Sequence, residues 1–165
     1  MDKSFVIQSL KQVYPFKDQR PMERGWQGME REGAPCASPI AISKLEAVVF
    51  HKEGEDWVFG EEMMRRATDV ERFPGCQGWG QHAAEDILSR AAELPAEWAN
   101  EQGPALLSPD TVLVGKDGRR RVPYLVFHDG GWQLNWGYLD DDFSRYCRFV
   151  RLRPPAAKPS AGGAK

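Results

Sequence analysis

Cysteine is scarce in this chain. Cys36, Cys76 and Cys147 are the three in 165 residues, widely spaced and odd in number. No CxxC pair occurs, so neither a zinc ribbon nor a disulfide scaffold is supported. No apolar run approaches the roughly 18 residues that a membrane-crossing helix needs, and mean hydropathy is -0.56. Met1–Gln8 lacks the long apolar stretch of a secretory leader. Free thiols in a reducing cytoplasm and no membrane partner are therefore expected. Charge of one sign is missing too. The 24 acidic and 22 basic residues leave a net charge of -2, and a pI near 6.0 is poor for sequence-independent nucleic-acid binding. Collagen-like and heptad repeats are absent.

Aromatic residues are plentiful, with six Trp, eight Phe and four Tyr, and apolar residues make up 41% of the chain. Such a chain buries enough surface to offset its ordering entropy. One α+β domain over residues 1–153 is expected, followed by a disordered tail, 154–165, rich in Pro, Ala, Gly and Lys. The charge is unevenly placed. Residues 1–110 carry 12 basic and 19 acidic side chains, whereas residues 111–153 carry eight and five. Two halves of opposite sign attract each other inside one fold; the alternative is a basic face for an anionic partner.

Along the chain, residues 4–14 suit either helix or strand, and Pro15 ends them. Residues 15–39 carry four prolines and three glycines and read as a long irregular segment, with Trp26 and Met29 as anchors. Leu45–His51 has strand character, and Trp57-Val58-Phe59 reads as its return strand. Glu61 and Glu62 open a helix through about Val70, with Arg65 and Arg66 further along, as the helix dipole favours. Met63, Ala67 and Val70 form its apolar stripe. A glycine-rich loop, Phe73–Gly80, precedes a second helix over about 81–93, where Ala84, Ile87, Leu88 and Ala91 share one face. Pro95 suits the start of a short helix carrying Trp98.

The last third changes period. Thr111–Val114, Arg121–His128, Trp132–Tyr138 and Tyr146–Leu152 read as strands, separated by Lys116-Asp117-Gly118, Asp129-Gly130-Gly131 and the loop from Leu139. This predicts a four-stranded antiparallel meander over 111–152, packed against the N-terminal helices and short strands. Trp132, Leu134, Trp136 and Tyr138 fall on one face, expected to meet the helix faces bearing Ile87-Leu88 and Met63-Ala67.

Four constellations carry possible chemistry. Cys76, with His82 and Glu85 on the following helix, suits nucleophilic catalysis in a small hydrolase or transferase. The loop Gly75-Cys76-Gln77-Gly78-Trp79-Gly80 runs into a helix as phosphate-cradling loops do, but no Lys-Ser/Thr follows. Asp140-Asp141-Asp142 offers oxygen ligands to a hard cation, without an EF-hand pattern; a solvated acidic turn paired with Arg145 or Arg148 is the alternative. Arg119, Arg120, Arg121, Arg145, Arg148 and Arg151 interleave with aromatics, as in protein interfaces and single-stranded nucleic-acid platforms. The stretch from Trp136 through Asp140-Asp141-Asp142-Phe143 to Arg148-Phe149-Val150-Arg151 resembles the close of C-type-lectin-like domains; their paired cysteines are absent, and no residue role follows from it. The reading these residues favour is a non-catalytic module engaging another protein through an aromatic and arginine-rich surface, with no cofactor. The hydrolase or transferase and the nucleic-acid binder stand as alternatives.

Overall fold

The structure, a computed structural model, describes residues 28–31, 33, 39–115 and 117–154. The segment 4–14, Trp26, most of 15–39, Cys36 and the tail beyond Pro154 lie outside them. The fold is mixed α+β, with a mostly antiparallel sheet and two α-helices among the described residues. Its strands are β1 (Gly28–Arg31), β2 (Leu45–Val48), β3 (Trp57–Phe59), β4 (Ala105–Leu107), β5 (Val112–Val114), β6 (Arg120–His128), β7 (Gly131–Tyr138), β8 (Asp142–Ser144) and β9 (Cys147–Leu152). The helices are α1 (Gly60–Ala67) and α2 (Gln81–Ser89); short 3-10 turns lie before them at Ile42–Lys44 and after them at Ala91–Glu93 and Ala96–Trp98.

Strands β5, β6 and β7 form the antiparallel meander. Asp129 and Gly130 make the tight β6–β7 turn, with φ of 50° and 79°, the left-handed pair that a two-residue hairpin requires. The expected fourth strand does not continue it. Strand β9 crosses over to lie parallel to β4 and antiparallel to β2, while β8 leaves the main sheet and pairs with β3. Leu45–His51 and Trp57–Phe59 are therefore not a hairpin: each pairs with the C-terminal third. Within the segment expected to be irregular, Gly28–Arg31 is a strand on the edge of β5.

The helices lie on opposite faces of the sheet. On one side Met63 and Ala67 of α1 pack with Phe50, Val58, Phe73, Leu107, Val112, Val122, Leu139, Phe143 and Phe149. On the other, Ala84 and Ile87 of α2 pack with Ile42, Leu45, Leu106, Leu125 and Val150. Alternation along the strands feeds both: Leu106 and Leu107, or Phe149 and Val150, point to opposite sides. The aromatic row of β7 is thus half right. Trp132 and Leu134 pack on the α2 side with Ile87 and Leu88, but Met63 and Ala67 belong to the other face. The whole row is only half-buried, and among the described residues β7 pairs with β6 alone. Val70 is exposed, because α1 ends at Ala67 and Thr68 caps it by donating its hydroxyl to the Arg65 carbonyl (2.8 Å).

One buried cation ties α1 to the turn before β3. Arg66 donates through Nη1 to the Phe50 carbonyl (2.9 Å) and to Glu55 (2.7 Å), through Nη2 to Glu55 (3.0 Å) and through Nε to Glu62 (2.9 Å). The Arg66 guanidinium, helped by the Lys52 amide, draws Glu55 down to about 2. The macrodipole accounts for the charge order along α1, and this fork fixes where β3 begins.

Candidate functional site

The three catalytic candidates are all buried. Cys76 is 2% exposed within the α1-side core. Burial pushes its thiol up, partly opposed by Arg151, which favours the thiol over the nucleophilic thiolate. His82 and Glu85 are wholly buried on α2, the helix of the other face. Helix α2 is buried continuously from Gln81 to Ile87. Its buried Asp86 accepts from the Ile40 amide (2.6 Å) and from Arg90 (3.0 Å), and Arg90 in turn donates to the Ile40 carbonyl (2.8 Å). This latch fastens the chain entering β2.

The glycine-rich loop does not present an open helix end. The Gln81 amide donates to the Thr111 hydroxyl at 2.7 Å, so a residue beside β5 caps α2 in place of a local side chain. Trp79 donates to the Gly75 carbonyl (2.9 Å) and Gln77 to that of Phe73 (2.8 Å). A cleft of about 110 Å³ opens beside this loop, lined by Met64, Thr68, Cys76, Trp79, Arg31 and Asp110 among others. Arg31 and Asp110 form an ion pair across it (3.2 Å).

The six arginines are dispersed and mostly engaged. Arg119 clasps Asp140 (2.7 Å) and holds that carboxyl below its usual value. It also lies over the Tyr138 ring, 3.4 Å from the centroid, and Arg121 lies 4.0 Å from the same centroid. Arg121 further pairs with Asp117 (3.2 Å). Arg120, on the opposite face of β6, clasps Glu30 (2.7 Å) and reaches Glu61 of α1. Arg151 pairs with Glu46 (2.8 Å). Arg145 donates to the Glu55 backbone carbonyl. Arg148 is half-buried and donates to the Cys147 carbonyl (3.2 Å). Arg120 and Arg151 thus neutralise acidic residues of the N-terminal part, the intramolecular attraction that the charge asymmetry suggests, whereas Arg119 and Arg121 pair with carboxylates of the C-terminal third itself.

The aspartate triplet is similarly divided. Asp140 is held by Arg119, and Asp141 accepts the Asp142 amide (2.8 Å). Neither Arg145 nor Arg148 forms the ion pair suggested for it among the described residues. No group of three or more His, Cys, Asp or Glu side chains is arranged to hold a metal ion among them either.

What the sequence reading missed lies on β3. Val58 is buried, so its neighbours Trp57 and Phe59 stand on the outer face, 61% and 48% exposed. Their register partners on β8 are Ser144 and Asp142. The available signal was two aromatics at i and i+2 flanked by Asp56 and Glu61, but an uninterrupted apolar triplet does not reveal which face is wet.

His51 supports this two-stranded ledge from behind. It stacks on Phe50 (4.4 Å) and its Nε2 donates to the Phe143 carbonyl at 2.9 Å. Burial holds the imidazole below its ordinary value of 6.5, against that hydrogen bond. The folded state therefore favours neutral His51, and the unfolded chain takes up the proton first. Stability is expected to fall as pH drops through about 6.5 and to continue falling toward the lower folded value. Thermal unfolding at about pH 7.5 and pH 5.5 checks this, with His51→Gln flattening the difference; an unchanged difference would remove His51 from the account.

No protein-family profile, curated protein or solved structure matches the chain.

Proposed function

We propose that the protein is a non-catalytic module that binds another protein through the outer face of the β3–β8 ledge. One observation carries the reading: Trp57 and Phe59 stand side by side on one strand face, 61% and 48% exposed to water. Single exposed apolar residues need no explanation, but two large aromatics on one face form a patch that is costly to leave wet. Trp is also among the residues that dominate binding energy at interfaces. The remaining chemistry supports the same conclusion. The Cys76 thiol is buried and its pKa is pushed up, and most of the arginines are engaged with internal carboxylates. The contact surface therefore moves from the arginine-rich sheet to the aromatic ledge.

Capture from the native host, with wild type and Trp57→Ala/Phe59→Ala as parallel baits, tests this. The double variant removes little burial, so its stability is expected to stay within about 0.5–1 kcal/mol of wild type. Its recovery of a partner held by the wild type should fall at least about tenfold, since one anchoring aromatic at an interface is typically worth 2 kcal/mol or more. Equal recovery by both baits would refute the reading.

A further inference from the structure

The charges around the ledge indicate what kind of segment it takes. Asp142 is the register partner of Phe59, so its exposed carboxylate shares the outer face with that ring. Asp56 immediately precedes Trp57 and is also exposed. Asp141 adjoins Asp142, and its backbone carbonyl receives the Gly60 amide (2.9 Å) at the end of β3. Among the described residues none of these three aspartates forms an ion pair. The carboxylates behind the ledge do: Glu55 and Glu62 hold Arg66, and Glu61 holds Arg120. The cation nearest β8 in sequence, Arg145, is turned onto the Lys52 and Glu55 carbonyls. The ledge thus combines two exposed aromatic rings with surplus negative charge. Strand β3 has β8 as its one strand neighbour among the described residues.

Resting on the proposed binding role, we infer that the ledge takes an extended, basic segment of a partner protein. Its backbone lies along β3, and alternate Lys or Arg side chains lie over Trp57 and Phe59 and reach Asp56 and Asp142. Each part of the fit has a physical source. A guanidinium or ammonium is drawn to the face of an indole or phenyl ring. An open strand edge supplies main-chain hydrogen bonds to an extended chain. Complementary charge selects the partner and speeds the encounter.

The test is an amide-shift titration of the full ¹⁵N-labelled chain. The probes are a Thr-Arg-Val-Lys-Val-Arg-Thr peptide and its acidic counterpart, Thr-Glu-Val-Glu-Val-Glu-Thr, each raised to millimolar concentration. The basic peptide is expected to shift the amides of Trp57–Phe59 and Asp142–Ser144, and the acidic one to leave them in place. Asp56→Asn/Asp142→Asn should weaken the basic peptide about fivefold, the effect of losing two exposed ion pairs. No shift on β3 with the basic peptide, equal shifts with the acidic one, or unchanged affinity in the double variant would each overturn the inference. The capture experiment separates this failure from that of the binding role. A host partner held by wild type and Asp56→Asn/Asp142→Asn alike, but lost by Trp57→Ala/Phe59→Ala, leaves the ledge as a binding surface and removes the basic partner. A partner retained by the aromatic double variant removes the binding role itself.

Discussion

Phe149→Ala is expected to lower the unfolding free energy by about 3–5 kcal/mol, the range for deleting a fully buried aromatic ring. Phe149 is 1% exposed. Its ring stacks on Phe50 at 4.4 Å and meets the edge of Phe73 at 5.4 Å, so truncation removes two aromatic contacts as well as its own burial. It sits on β9, the strand that joins β2 to β4. The cavity would open on the α1 side and leave the α2-side core, with Val150 next along the strand, in place. Urea unfolding monitored by circular dichroism measures the loss. Adding Leu125→Ala, which acts on the opposite face, should give a nearly additive decrement, within about 0.5 kcal/mol. A loss under about 1 kcal/mol for Phe149→Ala would mean that this core is not the one holding the domain together.

The second large effect opposes simple propensity. Gly60 opens α1, and replacing a helical glycine by alanine ordinarily stabilises by about 0.5–1 kcal/mol. Here the added Cβ would lie 2.6 Å from the Leu139 carbonyl carbon and closer still to its oxygen. Neither side has room to yield. The Gly60 amide donates to the Asp141 carbonyl (2.9 Å), and the Leu139 amide donates to the Arg120 carbonyl (2.8 Å). Both backbones are pinned where the end of β3 crosses the chain leaving β7. The steric cost outweighs the propensity gain, and Gly60→Ala is expected to destabilise by about 3 kcal/mol, the upper range for overpacking a tight site. Because Gly60 adjoins Phe59, amide exchange at Trp57–Phe59 should accelerate in the same variant. A raised melting temperature would show that the two backbones are not in close approach.

Local structure was legible in the sequence where a single element carries its own signal. The Ala84, Ile87, Leu88 periodicity found α2 and its core-facing side, and Asp129-Gly130 marked the β6–β7 turn. Strand partners were not legible. β2 pairs with β9, and β3 with β8, across most of the described chain; nothing in either strand's own pattern names so distant a neighbour. β4 was hidden for another reason. Ala105-Leu106-Leu107 is buried on both faces, so it shows no alternation, and it is only three residues long. Helical periodicity separates apolar from polar residues, not buried from exposed, so nothing in the pattern marks Gln81, His82, Glu85 and Asp86 of α2 as buried. The same ambiguity hid the ledge: Trp57-Val58-Phe59 is apolar throughout, and only the pairing with β8 turns Val58 inward and leaves the two aromatics outside.

The binding surface is tested most directly by site-specific photo-crosslinking in the native host. A benzophenone-bearing amino acid placed at position 57, and in separate samples at positions 132 and 121, reports which face touches a partner. A discrete, reproducible adduct is expected from position 57, absent when Phe59→Ala is added, and none from the β7 row or the arginine-bearing strand. An adduct confined to position 132 or 121, with none at 57, would contradict this and return the contact to the aromatic and arginine-rich sheet.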